Sequence, residues 1–80
     1  MNAKQQAALR AEIANQSAAQ VIERKDVVLF HIRERRETQR RASGSARAAL
    51  TREIKALEAC YHIFNERLEA LGETVARIGY

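Results

Sequence analysis

The side chains of this 80-residue sequence that could bind a soft metal or act as strong nucleophiles are few and widely spaced. The cysteine is Cys60, and the two histidines are His31 and His62. Zinc needs three or four converging ligands, and no CxxC or HxxxH spacing supplies such a set. A single cysteine also forms no internal disulfide. We therefore expect structural roles for these three residues, with no metal and no cofactor.

Motifs of common catalytic sites are also missing from the sequence. It contains no glycine-rich phosphate loop and no HExxH motif. His62 has no neighbouring serine or cysteine nucleophile to activate. The carboxylates between Glu53 and Glu73 are spaced as on a solvent-facing helix surface, without a paired-carboxylate pocket. We expect a protein that is not an enzyme, and no small-molecule substrate is indicated.

Arginine is concentrated in the middle of the chain. Residues 33–52 contain seven arginines, no lysine and two glutamates, a net charge of +5, whereas the whole chain carries +4. Guanidinium groups match phosphate and carboxylate geometry. We call the candidate partner-binding or nucleic-acid-binding residues the arginine tip: Arg33, Arg35, Arg36, Arg40, Arg41 and Arg47. A solvated helix end is the alternative interpretation, because Glu37 can pair with Arg33 and Arg41 along a helix.

Large apolar residues recur at alternating steps of four and three through the second half of the chain. They are Leu50, Ile54, Leu57, Tyr61, Phe64, Leu68, Leu71, Val75 and Ile78. This spacing is typical of a helix with a narrow heptad stripe. An interior glycine costs only about 1 kcal/mol relative to alanine. The pattern therefore predicts one helix over about 46–78, continuing through Gly72.

A stripe of smaller residues runs through the first half. It consists of Ala7, Ala11, Ala14, Ala18, Val21, Ile22, Val28, Leu29 and Ile32. With Asn2 as N-cap and Gln5 three residues later, the pattern predicts one long helix over about 2–42. Lys25 interrupts the stripe, and its stem can cover apolar surface. Residues 27–32 could instead form a short strand because β-branched residues are frequent there, but their neighbours favour helix.

The turn signal between the two stripes is the segment 43–45. Gly44 can adopt a left-handed conformation, and Ser45 can cap the second helix. We therefore predict an all-α protein with one domain, residues 1–80, in which two long helices form an antiparallel αα-hairpin. Residues whose numbers sum to about 88 should face each other.

Each predicted helix keeps a second apolar face that a two-helix hairpin cannot bury. The candidate oligomer-interface residues on these faces are Leu9, Ile13, Val27, Phe30, Ala56 and Ile63. A homodimer with two-fold symmetry would bury them in a four-helix bundle. The pattern leaves open whether each hairpin closes on itself or exchanges a helix with its partner.

These patterns favour a small helical interaction protein, such as an adaptor, assembly factor or inhibitor. Its partner is most simply another protein, bound through a bundle face or through the arginine tip. The alternative is a small nucleic-acid-binding or transcription-linked regulator that uses the arginine tip. The N-terminal residues lack the apolar segment of a signal peptide, and the longest strongly apolar run, Val27–Phe30, is far shorter than a membrane span. We expect a cytoplasmic location.

Overall fold

The computed structural model describes residues 1–75, which form three α-helices. They are α1 (Ala3–Ile13), α2 (Ala18–Arg41) and α3 (Gly44–Ala70). None of the described residues lies in a strand, and residues 27–32 belong to α2. The all-α class predicted from the sequence is confirmed, but the number of helices is three rather than two.

The first half of the chain is interrupted between Ile13 and Ala18. Ser17 caps α2 there: its Oγ accepts a hydrogen bond from the backbone N–H of Gln20 at 3.3 Å, and Gln20 Oε1 accepts one from the Ser17 N–H at 2.9 Å. This capping box satisfies backbone donors that a continuous helix would pair internally. The prediction of one unbroken helix over about 2–42 is therefore wrong, although Asn2 and Gln5 form the expected capping box of α1.

The interruption lets α1 fold back against the other two helices. Arg24 on α2 donates a hydrogen bond to Glu12 on α1, with Nη1 and Oε1 3.0 Å apart. Arg10 pairs with Glu66 on α3 at 3.1 Å. In the predicted register Arg10 would lie opposite residue 78, so α1 is displaced by twelve residues from its expected position. Ile78, predicted to pack against this part of the chain, lies outside the described residues.

The helices α2 and α3 pack antiparallel to each other. Gln39 Nε2 donates to Thr51 Oγ1 at 2.7 Å near the turn. Farther from the turn, the guanidinium of Arg24 lies 5.3 Å from the centre of the Phe64 ring. The residue numbers of these pairs sum to 90 and 88. The register predicted around the turn therefore holds for α2 and α3, although not for α1.

Gly44 forms the turn as predicted, with a left-handed φ of +58°. Ser43 rather than Ser45 is the N-cap of α3, and the Ser43 side chain makes no capping hydrogen bond. Ser45 lies inside the first turn of α3. The turn is therefore made by the backbone freedom of glycine, because no side-chain cap supports it.

A Schellman motif ends α3 at Ala70. The N–H of Glu73 donates to the carbonyl of Leu68 at 2.9 Å, and the N–H of Gly72 donates to that of Glu69 at 3.0 Å. Gly72 takes a φ of +82°, which an L-residue rarely adopts. The predicted continuation of this helix through Gly72 is wrong, and the predicted end near residue 78 lies outside the described residues.

The core lies where all three helices meet. Its buried residues are Leu9, Ile13, Val21, Ile63, Phe64 and Leu68. Ile32, Ile54 and Tyr61 are also buried. Lys25 lies at the edge of this packing, with Nζ 5.2 Å from the centre of the Tyr61 ring, so its stem covers apolar surface and its charge contacts an aromatic face.

Asn65 is the polar residue buried in this part of the chain. It is fully inaccessible to solvent. Neither Oδ1 nor Nδ2 has a hydrogen-bond partner among residues 1–75. A buried polar group left without a partner costs about 1–3 kcal/mol, so Asn65 weakens the fold.

Candidate interaction surface

Most residues of the arginine tip interact with other groups of the same chain. Arg35 pairs with Glu34 and Glu53, Arg36 with Glu58, and Arg40 and Arg41 with Glu37, while Arg47 donates to the backbone carbonyl of Gln39. The Glu37–Arg41 pair is one of the two helical pairs expected for a solvated helix end. Intramolecular pairing thus accounts for much of this cluster.

Positive charge nevertheless remains exposed at the arginine tip. The side chains of Arg40 and Arg41 are 78% and 81% accessible, and both pair with the single carboxylate of Glu37, at 3.0 and 3.6 Å. Arg33 is also exposed. Two cations sharing one anion leave a net positive charge at the surface.

Three of the predicted interface residues are part of the core. Leu9, Ile13 and Ile63 are buried within the chain. Two long helices alone would leave them uncovered. Folding α1 back against α3 covers them, which corrects the expectation that a partner must do so.

The other apolar candidates lie on the outside of α2 or at its contact with α3. Val27 is 53% accessible and Phe30 is 62% accessible, while Ala56 is half-buried. The Phe30 ring makes an edge contact with the neighbouring ring of His31, with centroids 5.6 Å apart. Val27 and Phe30 are three residues apart, so they are neighbours on the helix surface.

Three carboxylates lie one helical turn from these two apolar side chains. Glu23 precedes Val27 by four residues, Asp26 precedes Phe30 by four, and Glu34 follows Phe30 by four, so each lies one turn from an apolar neighbour. All three acids are exposed. We call these five residues the α2 face: Glu23, Asp26, Val27, Phe30 and Glu34. Two cations lie equally near: Arg33 is exposed one turn after Phe30, and Arg24, one turn before Val27, pairs with Glu12. Acids still outnumber bases here by three to two, although the chain as a whole carries +4.

An apolar groove adjoins the α2 face. It has a volume of about 410 Å³ and is lined by Met1, Leu9, Glu23, Arg24, Val27, Val28, Cys60 and Phe64. Leu9 and Phe64 are buried, whereas Met1 and Val27 are exposed. Glu23 and Val27 belong both to the groove and to the α2 face, so the two surfaces are continuous. Sequence reasoning missed the groove because α1 contributes part of its lining.

Cys60 in the groove is a packing residue. Its Sγ lies 3.8 Å from the Sδ of Met1. Burial raises the pKa of the Cys60 thiol. Because the thiolate is the nucleophile, this shift keeps Cys60 unreactive near neutral pH.

The groove and the α2 face present carboxylates, one guanidinium, apolar side chains and one free thiol. Among residues 1–75, no three histidine, cysteine or acidic side chains are grouped so that they could hold a metal ion. Within the same part of the chain, no helix combines the length and apolar character needed to cross a membrane. Comparison with protein-family models, curated proteins and solved structures finds no match to this chain.

Proposed function

We propose that this chain is a non-enzymatic helical protein that binds another protein through the α2 face and the adjoining apolar groove. The observation that carries the proposal is the 62% accessibility of Phe30 beside an open apolar groove. Single exposed apolar residues are common on proteins. An exposed aromatic residue next to a groove lined by apolar side chains is typical of an interaction site.

Burial of this surface would supply useful binding energy. Transferring one side chain such as Phe30 or Val27 from water to an apolar contact is worth about 1.5–3 kcal/mol when burial is complete. Aromatic side chains at the centre of an interface often carry a large share of the affinity. A protein that acts in this way, as an adaptor, assembly factor or inhibitor, needs no catalytic group.

Recovery of bound proteins from the native cells tests this proposal. We expect one protein to copurify in near-stoichiometric amount with the full chain, and to be lost with Phe30→Ser or Val27→Asp. Leu71→Ser is the matched control, because Leu71 is an exposed apolar residue at the end of α3 that belongs neither to the α2 face nor to the groove. Circular dichroism must show the same helix content in all variants. Recovery that does not depend on Phe30 or Val27 would contradict the proposal.

A second copy of the chain is the simplest alternative partner for this surface. The predicted homodimer would bring two α2–α3 pairs together as a four-helix bundle, with Val27, Phe30 and Ala56 in the interface. Size-exclusion chromatography with light scattering at micromolar concentration tests it. A monomer at these concentrations would reject self-association without affecting the proposal of a different protein partner.

Nucleic-acid binding by the arginine tip is a second candidate function, supported by the high exposure of Arg40 and Arg41. It requires affinity for duplex DNA or RNA that falls steeply as salt rises. Arginine side chains that bind phosphates displace the counterions condensed on the nucleic acid, and added salt opposes that release. Arg40→Glu should weaken this binding, whereas Lys4→Glu, the same charge change on α1, should not. Affinity unaffected by Arg40→Glu and Arg41→Glu together would exclude this function.

A further inference from the structure

We propose that the partner of the α2 face is an amphipathic helix of another protein that carries basic residues beside an apolar stripe. The inference rests on the proposed protein-binding function and specifies the chemistry of the partner. The partner helix places an apolar side chain in the groove and lysine or arginine next to the carboxylates of the α2 face.

The charges of the α2 face indicate a basic partner. The side chains of Glu23 and Asp26 make no ion pair or hydrogen bond with any residue in the described range 1–75. Glu34 pairs with Arg35 at 3.2 Å and remains more than half accessible. Glu23 and Asp26 are therefore two carboxylates without partners, against the one exposed cation Arg33 beside Phe30, and they favour a cationic ligand.

The groove determines the apolar part of the partner. A cavity of about 150 Å³ lined by apolar side chains already accommodates benzene, and this groove has about 410 Å³. The exposed side chain of Met1 and the half-buried Cys60 favour contact with aromatic or large aliphatic side chains. A helix that inserts one such residue can contact Val27 and Phe30 with its neighbouring turns.

Self-association fits the α2 face less well. If two α2 helices ran antiparallel with Val27 opposite Phe30 of the second copy, Glu23 would lie opposite Glu34 of the second copy, since both pairs of numbers sum to 57. Like charges in direct opposition are unfavourable. The same negative charge disfavours nucleic acid and anionic lipid at this surface.

Two model peptides test the inference with the full chain. Each is a labelled helical peptide of about 18 residues with a leucine and phenylalanine stripe; one has lysine on both sides of the stripe, and the other has glutamate. Fluorescence anisotropy should show that the lysine peptide binds roughly tenfold or more tightly than the glutamate peptide. This difference in affinity should decrease as salt rises. The overall charge of +4 repels this peptide, so tighter binding must come from a local acidic surface.

Substitutions locate the binding to the α2 face. Phe30→Ser and the pair Glu23→Lys with Asp26→Lys should each weaken binding of the lysine peptide by roughly tenfold or more. Leu71→Ser is the apolar control, since Leu71 is exposed at the end of α3 and belongs neither to the α2 face nor to the groove. Glu69→Lys with Glu73→Lys is the charge control, because it makes the same change of charge at the end of α3, away from the α2 face.

Three results would overturn the inference. They are equal or tighter binding of the glutamate peptide, no binding of either peptide, and self-association of the wild type that Phe30→Ser abolishes. The last result would identify a second copy as the occupant. A native protein that is lost from the Phe30→Ser variant would still support the proposed function, so the two proposals can fail separately.

Discussion

Arg10 on α1 and Glu66 on α3 form a two-point ion pair across 56 residues of sequence. Nε of Arg10 lies 3.1 Å from Oε2 of Glu66, and Nη2 lies 3.4 Å from Oε1. Both side chains are about half accessible, at 49% and 55%. This pair marks where α1 lies on α3, and α1 in turn covers part of the core and lines the groove.

Removing this pair should cost little, because water and salt screen exposed ion pairs. We expect a double-mutant cycle of Arg10→Ala and Glu66→Ala to give a coupling energy of about 0.2–1 kcal/mol in the free energy of unfolding. Urea unfolding at low salt measures it, and 1 M salt should reduce it. A coupling that is unchanged by salt would contradict this assignment.

The capping box at the start of α2 should matter more than the equivalent box of α1. Ser17→Ala removes the acceptor for the Gln20 N–H at an internal junction, so we expect a loss of about 1 kcal/mol in the free energy of unfolding. Asn2→Ala removes the same kind of cap from α1, which is shorter and packs less extensively against α3 than α2 does, so its effect should be smaller. Equal losses would show that the junction has no special role.

The sequence contains a signal for this junction between α1 and α2, but a stronger signal for one continuous helix competes with it. Ser17 and Gln20 have the spacing of a capping box, while the apolar stripe runs on through Ala14 and Ala18 without a change of period. A serine within a helix is only slightly less favourable than alanine, so local energies nearly balance. Packing of Leu9 and Ile13 against α3 decides the outcome, and that contact is not local in sequence.

The sequence predicts the start of α3 at Gly44 but not its end before Gly72. Gly44 stands between two stripes, so its left-handed conformation was predictable from its position. At Gly72 the sequence favours an interior glycine instead, because Val75 keeps the heptad spacing. Hydrogen bonds from Gly72 and Glu73 to the last turn make termination more favourable there.

The candidate site was only partly predictable. Val27 and Phe30 were recognised as surplus apolar residues, and they are exposed. The four-residue spacing of Glu23 and Asp26 from these side chains is visible in the sequence and could have identified an acidic face. The groove could not be foreseen, because it exists only after α1 folds back.

Gly44→Ala should destabilise the protein through the backbone alone. A Cβ at this position would meet no atom within 4 Å, so no clash contributes. The left-handed φ of +58° is unfavourable for alanine, and we expect a loss of about 1–2 kcal/mol in the free energy of unfolding. Gly44→Asn should lose less, because asparagine tolerates this conformation better. Denaturant unfolding should therefore show that Gly44→Asn is more stable than Gly44→Ala. The opposite order would show that helix propensity, which favours alanine, decides the effect.

Asn65→Leu should stabilise the fold. Leucine branches at the same atom and removes two buried polar groups that have no partner in the described chain, each costing about 1–3 kcal/mol. The larger side chain offsets part of this gain by crowding the core. Asn65→Asp is the opposite control, because it places an ionisable group in the same site. Thermal unfolding should rank leucine above the wild type and aspartate below it; a wild type more stable than both would reveal an essential polar contact.

Cys60 should react slowly and with a shifted pH dependence. Burial raises the pKa of its thiol, so a smaller fraction is thiolate at pH 8 than in an exposed cysteine, whose pKa is about 8.5. Iodoacetamide should therefore label the folded protein more slowly than the urea-unfolded chain, and the rate should rise at higher pH. Because the unfolded thiol ionises first, the free energy of unfolding should fall as pH rises above about 8.5. The Cys60→Ala variant should lose this component of the pH dependence. Equal labelling of the folded and unfolded chains at pH 8 would show that burial does not protect the thiol.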